Sequence, residues 1–283
     1  IRGAPLGQLI CPNNPDAAAY LIALFSDLVK NYDVDFVQTC LRPFSGGGRR
    51  GASRASEPTE RVLETIGGTC FCESCVSAAK AEGLDLKAVQ RALLPLADAL
   101  ENGGNLAGLH FMQVLRASNT SATALLVRYP EIFDFLRFRC GSMSRLFAKL
   151  HQAVTRIKPQ IDLRLNAYLY DYWELAGIEF SSLRPHLGSI RSSNYDEQSG
   201  RMEQMEHKRQ FLLGVRAGAG DDIPFLSAIG IRPKATPELV RKGVLISSEC
   251  GADGLSLGHY DGATLRCLEA IGEGLRDADI RVG

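Results

Sequence analysis

Pro224-Phe225-Leu226-Ser227-Ala228-Ile229, then Thr236-Pro237-Glu238, then Gly254-Leu255-Ser256-Leu257 is the stretch that decides the fold class. Its first and last parts are short apolar runs, each of which reads as a buried strand. Between them a capping threonine, a proline suited to the first helical position and an early acid open a helix. A strand, a helix and a strand in that order form a parallel βαβ unit.

The same rhythm continues outward. A closing helix is expected over Leu265–Arg276, a helix over Glu203–Ala217, and strands over Ser189–Asn194 and Asp162–Tyr168. Phe180–Leu187 reads as a short helical link. A long helix should run from Tyr129 to Lys158, ending before Pro159, with Phe133, Leu136, Phe138, Leu146, Phe147 and Leu150 as candidate core positions. Nearer the start, Asn14 caps and Pro15 opens a helix over Pro15–Lys30, whose Tyr20, Leu21, Leu24, Phe25 and Leu28 recur at helical spacing. A strand follows at Val34–Thr39, then a Gly/Ser/Arg-rich insertion from Arg42 to about Ser56. Helical segments are expected over Val76–Glu82, Leu86–Glu101 and Gly108–Arg128.

Parallel βαβ units with polar residues just past the strands (Asn166, Asn194, Arg232, His259) predict a TIM-type (β/α)8 barrel. Five strands are legible where a barrel has eight, so the first strands are expected to be missing from this chain. The predicted organisation is one barrel domain over residues 1–283, with a cysteine-rich, zinc-binding insertion near 41–80 and helical elaboration near 84–130. An open doubly wound sheet is the alternative, though no strand is followed by a Gly-rich phosphate turn.

Composition excludes several classes. Lys plus Arg equals Asp plus Glu, 32 against 32, so the basic balance of a nucleic-acid binder is absent. No apolar run approaches the ~20 residues that span a bilayer, and no signal peptide is visible. Eight cysteines in 283 residues is not a disulfide-scaffold density. Cys140, Cys250 and Cys267 read as buried free thiols, and Cys40 as a semi-buried inert one. Free thiols beside a thiolate metal site point to a cytoplasmic compartment. A homo-oligomer is compatible with this composition.

The strongest motif is Cys70-Phe71-Cys72-Glu73-Ser74-Cys75, with Cys11 as a distant fourth thiolate. Soft ligands at this spacing suit a tetrahedral zinc ion, in a structural rather than catalytic role. The competing readings are four free thiols or a disulfide.

Taken with Cys11-Pro12-Asn13-Asn14-Pro15, this cluster resembles the zinc site of family 42 β-galactosidases, and Asn31-Tyr32-Asp33-Val34-Asp35 resembles the entry to the fourth strand of glycosidase-like barrels. The resemblance implies a glycoside hydrolase whose zinc is held by Cys11, Cys70, Cys72 and Cys75. That clan carries catalytic glutamates at the ends of its fourth and seventh strands. Here those ends read Gln38-Thr39-Cys40-Leu41-Arg42 and Ser227-Ala228-Ile229-Gly230-Ile231-Arg232, with no carboxylate.

Glycoside hydrolysis needs two carboxyl groups flanking the scissile bond. The candidates just beyond strand ends are Asp171, Asp196, Glu197 and Asp261; Asp196 and Glu197 are adjacent, so their side chains should diverge. Trp173, Tyr168, Tyr195 and Tyr260 offer aromatic platforms for a sugar ring, and Asn166, Asn194, Arg232 and His259 offer polar contacts. Capping, turn and packing roles compete for each of them. The predicted partner is a carbohydrate or glycoside. The competing functions are a non-catalytic carbohydrate-binding barrel, and an isomerase or lyase using His259 and Arg232.

Overall fold

The computed structural model describes residues 10–39, 70–102, 127, 129–167, 173–258 and 260–279, the side chains of residues 96–102 and 260 excepted. The chain divides into two compact units. One holds the described residues within Ile1–Phe25, Leu41–Leu150 and Tyr172–Ser182; the other holds those within Ser26–Cys40, His151–Asp171 and Leu183–Gly283.

The second unit is built on β1 (Phe36–Thr39), β2 (Asp162–Ala167), β3 (Ser189–Ser192), β4 (Phe225–Gly230) and β5 (Gly254–Gly258). They form one sheet in the order β1-β2-β3-β4-β5, every pair parallel. Consecutive parallel neighbours require right-handed crossovers, which put the connecting helices on one face of the sheet. The result is a curled half-barrel of strands and helices. The expected (β/α)8 barrel, short of its first strands in this chain, is therefore corrected to a half-barrel: among the described residues β1 pairs only with β2 and β5 only with β4, and five strands do not close a ring that takes about eight.

The helix-facing side is largely apolar. Helices Gln204–Ala219 and Pro237–Glu249 connect β3 to β4 and β4 to β5, and Leu265–Asp277 follows β5. Ile229 and Ile231 pack with Val240, Val244, Cys267, Ala270 and Ile271 there. Local signals set the helix starts: Thr236 Oγ1 accepts from Leu239 N at 3.3 Å with Pro237 at the first position, and Thr264 Oγ1 accepts from Cys267 N at 3.3 Å. The opposite face alternates with it. Its register places Arg164 opposite Ser189, Asn166 opposite Arg191, Arg191 opposite Leu226, and Ala228 opposite Ser256.

In the first unit, a helix over Glu73–Ala81 and another over Leu86–Asn102 pack with the first half of a 28-residue helix, Pro130–Ile157. Cys75, Ala79, Leu86, Val89, Leu93, Ile132, Phe135 and Phe138 form this unit's buried cluster, and Phe71 stacks on Phe135 with ring centroids 5.0 Å apart. The long helix is rotated from its sequence reading at its start: Ile132 and Phe135 are buried, whereas Phe133 is 51% exposed. Asn14 caps the helix Pro15–Asn31 as expected, accepting from Ala17 N at 2.9 Å. Its buried stripe is Ala18, Leu21, Phe25 and Val29, while Tyr20, Leu24 and Leu28 are exposed. The expected insertion over 42–56 and helix over 108–128 fall outside the described residues, save Val127. Among the described residues, no helix is long and apolar enough to cross a membrane.

Candidate functional site

The four cysteines meet. Cys11 follows Ile10 into the turn that precedes the first helix; Cys70 and Cys72 lead into the helix Glu73–Ala81 and Cys75 lies in its first turn. Cys72 takes the N-cap position, so it and Cys75 fall on one side of the helix start. Helix N-terminal N–H groups favour thiolate there.

The four sulfurs all lie within 4.8 Å of one another, with Cys11–Cys75 at 3.4 Å and Cys11–Cys72 at 3.6 Å. A disulfide needs about 2.05 Å, so these are not bonded sulfurs. Four thiolates at about 2.3 Å from a tetrahedral ion stand about 3.8 Å apart, the spacing the cluster brackets. The donor set therefore fits a metal ion.

The surroundings orient and compensate the cluster. Asn13 Nδ2 donates to Cys75 Sγ at 3.5 Å and to Ser142 Oγ at 3.0 Å, and Ser142 Oγ donates to the Phe138 carbonyl at 2.8 Å. Hydrogen bonding to Cys11 and Cys70, then burial, pushes the Cys75 thiol far up; bonding to Cys70 pushes Cys11 up to about 12; and Cys70, accepting from Cys11 and Cys75, is lowered to about 2. A bound dication lets all four deprotonate. Arg139, wholly buried above the Phe135 ring, is pulled down to about 9 by burial, against the attraction of Cys140 and Cys75.

The second unit carries a polar layer at the carboxyl ends of β2, β3 and β5. Arg191 is 9% exposed and its guanidinium touches Asn166, Ser193, Tyr195 and Ser256. Ser193 Oγ in turn donates to Asn166 Oδ1 at 2.6 Å. A Cβ on Gly258 would come 2.1 Å from the Tyr195 ring, so glycine there is what lets the ring lie against β5.

Asp196 and Glu197 diverge. Asp196 Oδ2 accepts from Asn194 Nδ2 at 2.8 Å and faces His207 Nδ1 at 2.7 Å. Glu197 points the other way, toward the helix side, and has no exposed surface. Its Oε1 pairs with Lys208 Nζ at 2.8 Å and its Oε2 accepts from Gly230 N at 3.0 Å. Gly243 borders it so closely that a Cβ there would sit 2.2 Å from Oε1. A carboxylate so enclosed touches no substrate.

The remaining predicted residues are dispersed. Trp173 lies in the first unit, edge-on to Phe180 with centroids 5.0 Å apart, whereas Asn166, Asn194 and Tyr195 belong to the second. Arg232 and Asp261 are exposed. Tyr168, Asp171, His259 and Cys40 lie outside the described residues, as does the side chain of Tyr260. Sequence reasoning passed over Arg191 and Lys208, and read His207 as a helix surface or packing residue. The signal for Arg191 was present: a cation inside a strand, at Ser189-Ile190-Arg191-Ser192, is out of place unless it is used.

No protein-family model matches the chain, and no curated protein does; the resemblance to family 42 β-galactosidases is thus not confirmed, although the cysteine cluster that suggested it exists. Among solved structures, 95% of the chain is similar to 30% of the α-L-fucosidase isoenzyme 2 from Paenibacillus thiaminolyticus, at 16% identity and a TM-score of 0.49. The chain thus spans less than a third of that protein's length.

Proposed function

We propose that this protein is a glycoside-hydrolase-like enzyme acting on a carbohydrate or glycoside, with the four cysteines holding a structural zinc ion. The observation that supports it best is the polar layer of Asn166, Arg191, Ser193, Tyr195 and Ser256 toward the carboxyl ends of parallel strands, with Asp196 next to Tyr195 in the chain. Sheets of this kind take ligands at that edge. Alternating donors and acceptors with an aromatic ring suit sugar hydroxyls and a sugar's apolar face.

Asp196 is the first of the two carboxyl groups the reaction requires, held by Asn194 and facing His207. Asp171 or Asp261 is the second. Glu197, paired with Lys208, serves the fold. The zinc reading rests on an all-thiolate donor set, which favours zinc over magnesium or calcium. When bound, such an ion cross-links Cys11 to the helix start at Cys72 and Cys75, and takes no part in the reaction.

The test is turnover of a panel of aryl glycosides by the wild-type protein and by Asp196→Asn. We expect hydrolysis of at least one glycoside, reduced about 100-fold or more in the variant. The enclosure of Glu197 favours a second reading, carbohydrate binding without catalysis. Sugar binding with no turnover of any glycoside would support that reading and exclude the first.

A further inference from the structure

The cations on this sheet and on the helix packed against it differ in their partners. Arg164 pairs with Asp162 at 2.8 Å and Lys208 with Glu197 at 2.8 Å. Arg191, more than nine-tenths buried, has no carboxylate within ion-pair distance among the described residues. Its acceptors are all neutral: Nε donates to Ser256 Oγ at 2.7 Å, Nη1 to Asn166 Oδ1 at 3.0 Å and to Ser193 Oγ at 2.7 Å, and Nη2 to Tyr195 OH at 2.6 Å.

A guanidinium has five N–H groups, so these four bonds leave one Nη2 N–H over. They also fix the plane of the group. Nε reaches across β4 to β5, over a position where the residue opposite Ser256 is the small Ala228. Three strands and the Tyr195 ring thus hold one cation in place at the ligand-binding edge. Burying a charge without a counter-charge is costly. Neutral oxygens solvate it in part, and a bound anion would complete it. A sugar hydroxyl would gain little from a full charge, whereas a carboxylate or phosphate oxygen gains a charge-assisted bond.

We infer that Arg191 is the subsite for an oxyanion carried by the substrate, which makes the substrate an acidic sugar, bearing a carboxylate or a phosphate, rather than a neutral one. This rests on the carbohydrate reading above and narrows it.

The test is calorimetric binding of glucuronate, galacturonate, glucose 6-phosphate, glucose and galactose, with acetate and inorganic phosphate as probes of the anion alone. The wild-type protein should bind at least one acidic sugar about tenfold tighter than its neutral parent. Arg191→Gln should abolish that preference and Arg191→Lys should keep part of it. Should Arg191→Gln fail to fold, Tyr195→Phe and Ser256→Ala keep the charge but loosen its mount, and each should diminish the preference. The carboxylate and phosphate arms identify the source of the oxyanion. Equal binding of acidic and neutral sugars, or a preference that survives Arg191→Gln, overturns the inference and leaves the carbohydrate reading standing. Arg191-dependent binding of acetate or phosphate with no sugar bound supports the oxyanion subsite and overturns the carbohydrate reading. Binding of none of these compounds overturns both.

Discussion

Replacing Lys208 by Met isolates the energetics of the sheet's helix side. The Lys208 and Glu197 side chains are both 0% exposed, with Nζ 2.8 Å from Oε1. Nζ also donates to the Ala228 carbonyl at 2.7 Å and to the Asn194 carbonyl at 3.4 Å. Methionine refills most of the volume of the lysine stem, so cavity formation is a minor part of the effect. What is lost is the only positive charge paired with Glu197 among the described residues, together with donors to two carbonyls. Breaking such a pair from one side costs about 3–5 kcal/mol, because the remaining charge is buried without compensation. Glu197→Gln added to Lys208→Met removes that charge and keeps an acceptor for Gly230 N, so most of the loss should be recovered in the double variant. The assay is urea unfolding followed by far-ultraviolet circular dichroism. Tryptophan fluorescence is unsuitable, since Trp173, the one tryptophan, belongs to the other unit. A loss below about 1 kcal/mol in the single variant, or a double variant no more stable than the single, would refute the reasoning.

Two further outcomes are expected. Cys72→Ser should lose its stoichiometric zinc by elemental analysis and melt at a lower temperature than the wild type, because a structural thiolate site is coupled to folding; unchanged metal content counts against the centre. Burial alone would raise the Asp253 carboxyl, but the Phe225 N–H at 2.7 Å and the Arg216 guanidinium at 2.6 Å hold it below its ordinary value. A lowered carboxyl contributes stability above its unfolded pKa, about 3.9, and loses it as pH falls through the folded one. The difference in melting temperature between wild type and Asp253→Asn should therefore narrow as pH drops below about 4, and a constant difference contradicts this.

Much of the secondary structure was legible because its signals are local. Thr236-Pro237-Glu238 and Asn14-Pro15 act through the first turn of their own helices, and both mark helix starts in the structure. The strand at 162–167 shows as alternation, Leu163, Leu165 and Ala167 against Asp162, Arg164 and Asn166, and the strand at 225–230 as a short, mostly apolar run; both are patterns of a sheet with a buried face. The rotation at the start of Pro130–Ile157 was not legible: Phe133 and Phe135 are equally apolar, and only packing against distant residues, the Phe71 ring and the cluster around Cys75 and Leu86, selects between them. The (β/α)8 barrel, even short of its first strands, was an extrapolation from rhythm, and strand pairing among the described residues shows a half-barrel instead.

By itself the sequence determined the elements, the parallel α/β class and the cysteine set, since caps, periodicity and ligand spacing are properties of neighbouring residues. Tertiary structure alone decided which polar residues are closed off in the interior and which stay at the edge of the sheet. Asp196 and Glu197 are adjacent in the chain, yet one faces His207 and the other is closed off against Lys208. Arg191 takes its meaning from Asn166 and Ser256, 25 and 65 residues away. Burial and the presence or absence of a counter-charge are set by strands that meet only on folding.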